Sequence, residues 1–186
     1  KYEMPKEEEI INAERTRSSC LKIGTYAAIN HLFKTTGIDK ILAELFPNDY
    51  GLIQDLIAYS IIEESNVAQH YPAYAFNHPL FTAGMKIVSD STISRLFRGI
   101  TRDQIICFQD RWNEQQDKNE RIYISYDSTN KNTRARDIEK AEYSKAAKDD
   151  ENVPIVNYAI AYNTTKRVPL FYENYPGSNP DVGQLQ

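Results

Sequence analysis

The spacing of apolar residues changes period once along this chain, and that change limits the folds open to it. Up to Trp112 the apolar residues recur at three- and four-residue steps, the repeat of a helix with one buried face. From Ile122 they alternate, the repeat of a strand. Helices gathered first and strands afterwards read as an α+β fold. The switch follows Lys118-Asn119-Glu120, which divides the chain into a helical region, 1–118, and a strand-bearing region, 119–186.

In the helical region, the Glu-rich stretch from Glu3 to Glu14 reads as a helix end or a mobile lead-in. Tyr26, Ile29 and Phe33, then Ile38, Ile41, Leu42 and Leu45, predict two amphipathic helices joined near Gly37 and closed by Pro47. Leu52 to Ile62 is apolar on nearly all sides, which suits a helix buried in a bundle. Tyr71 to Phe81, rich in Pro and aromatics, reads as a packed irregular connection. Ser89 to Gly99 predicts a helix with a Ser or Asp cap and a Gly stop. Thr101 and Gln104 form a capping-box pair ahead of a helix through Ile105, Phe108 and Trp112. These last two helices allow a helix-turn-helix, and Arg95, Arg98, Arg102 and Arg111 make this the most basic stretch, suited to phosphate contact. The other reading is a helical hairpin with solvated arginines.

Beyond the switch, Ile122, Ile124 and Tyr126 share one strand face and Tyr123 and Ser125 the other. The run then meets Ser128-Thr129-Asn130, so Asp127 is expected where the strand joins a polar loop. A carboxylate held there by rigid backbone is placed to bind a hard cation or accept a proton. Its alternative is an Asx cap on the turn. The polar stretch Ser128 to Asn152, with Lys131, Arg134, Arg136, Lys140, Lys145 and Lys148, reads as a long functional or mobile loop. Val153–Tyr162 and Val168–Tyr175 form a hairpin around Asn163-Thr164-Thr165-Lys166. Pro176 to Asp181 turns into the start of a helix.

A net charge of −4 argues against a basic coat for nucleic acid, while leaving room for local patches. The two cysteines, Cys20 and Cys107, stand far apart, so a reducing, cytoplasmic setting is expected. No apolar run nears the roughly 20 residues of a membrane span. His31, His70 and His78 lack zinc-site spacing, and no Gly-rich phosphate loop or nucleophile elbow occurs.

From Asp127 onward the order and spacing of motifs resemble a DDE-type transposase of bacterial insertion sequences, which has a helical amino-terminal region and an RNase H-like core. Tyr126-Asp127-Ser128-Thr129-Asn130 looks like that family's first catalytic aspartate, and Tyr143-Ser144-Lys145 like the element that follows it. Pro154 to Ala161 is similar to the second core strand, and Val168 to Val182 to the third strand and its Gly-Asn-Asp exit. Upstream, Ser91 to Leu96 looks like the helix ahead of the core.

The resemblance implies the first three antiparallel strands of an RNase H-like sheet, with Asp127 as a ligand to two Mg²⁺ ions, Mn²⁺ being an alternative. It implies cutting of transposon-end DNA and joining to target DNA by two-metal phosphoryl transfer, in a homodimeric synaptic complex. Arg95, Arg98, Arg102 and Lys145 would contact DNA. Such a site needs three carboxylates. The second and third are expected beyond Gln186, so the chain reads as an incomplete core, inactive alone, and Asp137, Asp149, Asp150 and Asp181 are not substitutes. The alternative is a non-catalytic DNA-binding or dimerising module with an incomplete nuclease core.

Overall fold

The computed structural model describes residues 20–116, 123–134, 138–144 and 153–179. The chain is mixed helix and antiparallel sheet, an α+β arrangement that divides into two compact units, Lys1–Phe108 and Gln109–Gln186. The Glu-rich stretch, Lys145, Asp137, Asp149, Asp150 and Asp181 lie outside the described residues.

In the first unit, α1 (Ile23–Thr36) and α2 (Ile38–Leu45) meet at Gly37, whose φ of 71° is the left-handed conformation that glycine adopts without steric cost. Then α3 (Tyr50–Ile62) buries Leu52, Leu56, Ala58 and Tyr59, with Ile29 and Phe33 of α1 packed near Ala58. The expectation of an irregular connection at Tyr71 to Phe81 is corrected, because Tyr71–Asn77 is a helix, α4. Pro72 falls in its first turn, where a missing N–H costs nothing, and Tyr71, Tyr74, Ala75 and His78 recur at helical spacing and are buried.

Next, α5 (Asp90–Gly99) opens on Ser89, whose Oγ accepts from the Thr92 amide, and it buries Ile93. It ends at Gly99 without a left-handed residue, because Ile100 turns extended. The capping box of α6 (Arg102–Glu114) is present in both directions: Thr101 N donates to Gln104 Oε1 at 2.9 Å and Gln104 N to Thr101 Oγ1 at 3.2 Å.

The second unit is a three-stranded sheet in the order β1 (Ile124–Asn132), β2 (Ile155–Asn163), β3 (Val168–Pro176). On β2, Ile155, Asn157, Ala159, Ala161 and Asn163 are buried, the alternation expected of a strand with one inward face, and Val156 is buried as well. The hairpin turn is held by buried Asn163, whose Oδ1 accepts from the amides of Thr165 and Lys166. Register shifts at Ala161/Tyr162, which face Phe171 and Pro169, so Leu170 is an extra residue that makes a bulge in β3.

Side chains close the outer edge of β3. From α6, Trp112 Nε1 donates to Pro169 O at 2.7 Å, Asn113 Nδ2 to Leu170 O at 2.9 Å and Gln109 Nε2 to Tyr172 O at 2.9 Å. Lys140 Nζ continues the row to Asn174 O at 2.6 Å. These bonds tie Gln109, Trp112 and Asn113 to the sheet, so the unit boundary falls within α6, while the sequence period changes only after Glu120. On the other side, β1 pairs with β2, and no further strand lies beside it among the described residues.

Candidate active site

The strand that carries Asp127 is longer than its sequence suggests. Ser128 to Asn132 continues β1 and does not form a loop, because nine residues of β2 offer ladder partners from Asn163 back to Ile155. Pairing overrides the weak strand preference of Ser and Asn. Asp127 therefore sits in mid-strand opposite Ile160, and not at the strand-to-loop junction expected from its neighbours. No turn is present for it to cap.

Strand alternation places Ser125, Asp127, Thr129 and Lys131 on one face, and all four are exposed. Across the sheet from Asp127 the row continues through Ile160 and Tyr172, both about half exposed. Among the described residues, no hydrogen bond or ion pair engages the Asp127 carboxylate. It presents free hard-oxygen ligands, the donor type that Mg²⁺ and Mn²⁺ select. Asp127 thus fits one position of a divalent-ion site. Among the described residues, no group of three His, Cys, Asp or Glu side chains converges to complete it.

One end of the sheet is locked by polar contacts that sequence reasoning missed. Asn157 Nδ2 lies 3.2 Å from Pro176 O, 3.4 Å from Gly177 O and 3.0 Å from Asn179 O, which pins the exit of β3. Glu142 exchanges both backbone hydrogen bonds with Ile155, at 3.0 and 2.8 Å, and its carboxylate accepts from Ser178. Tyr143 follows on this anchored segment with its ring exposed. An amide at an inward position of an apolar strand was the one signal in the sequence for Asn157.

Arg95 and Arg98 lie on α5 and Arg102 opens α6; all three are exposed and belong to the helical unit, whereas Asp127 belongs to the sheet unit. Arg95 Nη2 donates to Thr92 Oγ1 at 3.2 Å. The helical unit also holds a cavity of ≈ 350 Å³ beside Tyr59, Tyr74 and His78. Two of its polar groups serve the fold: Tyr59 Oη donates to Val67 O at 2.9 Å, and His78 Nδ1 bonds Tyr74 O at 2.8 Å while its ring stacks on Tyr74. Burial, reinforced by the Asp55 and Glu63 carboxylates, raises the Tyr74 phenol above its ordinary pKa.

Among the described residues, no helix is long and apolar enough to cross a membrane. Comparison with protein-family models, with curated proteins and with solved structures found no match to this chain.

Proposed function

We propose that this chain carries the first strands of an RNase H-like transposase core, acting in the cytoplasm on the DNA ends of its own element, with Asp127 as its first metal-binding carboxylate. The observation that carries this reading is the unequal treatment of the two sheet edges. Four side-chain donors bond carbonyls along the β3 edge, whereas among the described residues no further strand pairs with β1, the strand that bears Asp127. An open edge is a liability in an isolated sheet and a template for a further strand. In this reading that strand brings the second carboxylate beside Asp127, and a later helix brings the third.

Asp127 would hold divalent ions, Mg²⁺ or Mn²⁺. Once bound, they supply a lowered pKa for the attacking water or hydroxyl and charge stabilisation at the phosphodiester. The chain's own part is to fix the carboxylate. A mid-strand residue paired on one side is held more rigidly than a loop residue, and metal ligands must be held to within a few tenths of an ångström. Arg95, Arg98 and Arg102 would bind phosphates of the same DNA, and two copies would meet in the synaptic complex.

The test uses the full-length gene product on DNA that carries the element's ends. The Asp127→Ala variant is expected to bind that DNA as tightly as the parent and to lose Mg²⁺-dependent nicking. Undiminished nicking would remove Asp127 from the mechanism and sink the proposal. A second reading, a helical DNA-binding module with no catalysis, is favoured by the exposure of Arg95, Phe97 and Arg98 together on α5. It requires DNA binding that Arg95→Ala/Arg98→Ala weakens, with no nicking by the parent protein.

A further inference from the structure

Resting on that reading, we propose that Lys131 is a phosphate-binding residue of the Asp127 face, the cation that seats the DNA strand beside the phosphate to be cut. In sequence, Lys131 is one of several charges in a polar stretch. The structure moves it onto β1, four residues beyond Asp127 and on the same face.

At roughly 3.3 Å per residue the two α-carbons stand about 13 Å apart along the strand. A DNA backbone lying along β1 passes both side chains within a few nucleotides.

The composition of that face makes Lys131 specific. Over the paired residues of all three strands, Asp127 is its one carboxylate and Lys131 its one ammonium. Opposite Lys131 stand Val156 and, on β3, Pro176, neither of which neutralises a charge. Among the described residues no ion pair or hydrogen bond engages the Lys131 ammonium. By contrast, Lys140 at the same end of the sheet is committed to Asn174 O and Oδ1. The aliphatic stem of Lys131 can lie over buried Val156 while its head stays in water, which presents a point charge on a flexible stem rooted in rigid backbone. A neighbouring phosphate is the anion that a metal-dependent phosphodiester site brings to this face.

The experiment is a salt titration of binding, read by fluorescence anisotropy, with the full-length gene product and a labelled duplex carrying the element's end. Lys131→Met keeps the stem over Val156 and removes the charge. It is expected to weaken binding roughly three- to tenfold and to reduce the slope of log K against log[salt] by about 0.9, the value for one phosphate contact. Lys131→Arg restores both. Lys40→Met, which removes an equal charge from an exposed position on α2, leaves the slope unchanged. An unchanged affinity and slope in Lys131→Met, with parental nicking intact, would overturn this inference alone. Absence of DNA binding and nicking in the parent protein would overturn the transposase reading and this inference with it.

Discussion

Gly51 and Asp55 lie one turn apart on α3 and together hold the Phe81–Thr82 segment, so their substitution effects are expected to be coupled. The Asp55 carboxylate is 1% exposed and accepts from Phe81 N at 2.6 Å, Thr82 N at 3.0 Å and Thr82 Oγ1. Asp55→Ala leaves two backbone amides and a hydroxyl without their acceptor. Losing hydrogen bonds to a charged group and stranding partly buried donors costs about 3 kcal/mol after water reaches some of them. For a unit of this size that is a fall in Tm of roughly 15 °C. Gly51 permits the close approach, since a Cβ there would stand 2.9 Å from Phe81 O and 3.0 Å from Thr82 Cα, both backbone atoms. Gly51→Ala therefore costs about 2 kcal/mol in displaced backbone and regains about 1 kcal/mol in helix propensity, a net loss of about 1 kcal/mol.

In Gly51→Ala the segment has already moved away from the carboxylate, so the double variant is expected to cost less than the sum of the singles by about 1 kcal/mol. Urea denaturation followed by far-ultraviolet circular dichroism, applied to the parent, both singles and the double, gives the cycle. Strict additivity, or a loss below about 1 kcal/mol for Asp55→Ala, would refute the clasp.

Two further perturbations test the sheet and the aromatic core. A Cβ on Gly177 would overlap the Ile155 carbonyl and stand 2.7 Å from Ile155 Cγ1 and 2.9 Å from Glu142 O, so Gly177→Ala is expected to cost about 2–3 kcal/mol. It should also speed hydrogen exchange at the Ile155 and Glu142 amides, and unchanged protection would contradict it. For Tyr74, burial first and then the Asp55 and Glu63 carboxylates raise the phenol's pKa from its ordinary 10.0, so the folded state holds that proton more tightly than the unfolded chain does. Stability from this group is therefore flat well below pH 10 and falls as pH rises past it. Urea midpoints for the parent and Tyr74→Phe should differ in slope between pH 9 and 11, with the parent falling faster, and equal slopes would exclude the effect.

Local features were legible in the sequence because their causes are local. Gly37 separates α1 from α2, Thr101 and Gln104 cap α6, and Asn163 with the residues after it turns the hairpin. Each depends on bonds between residues a few positions apart. The strand character of Val153 to Tyr162 was likewise legible, although the structure buries Ile155, Asn157, Ala159, Ala161 and Asn163 and leaves Tyr158 and Ile160 of the alternating apolar set exposed, and Asp127 stood out as a carboxylate beside a strand.

What tertiary structure alone decided depends on partners far away in the chain. The length of β1, and with it the mid-strand place of Asp127 and the shared face of Lys131, came from nine residues of β2 that accept the ladder whatever the propensities of Ser128 and Asn130. Helix α4 formed across Pro72 because its aromatic face could be buried against Tyr59. The β3 edge was closed by Gln109, Trp112 and Asn113, whose acceptors lie 57 to 63 residues further on. A sequence states which residues can alternate, cap or turn. Which backbone groups remain for a side chain or a further strand to satisfy is settled only when the strands have paired.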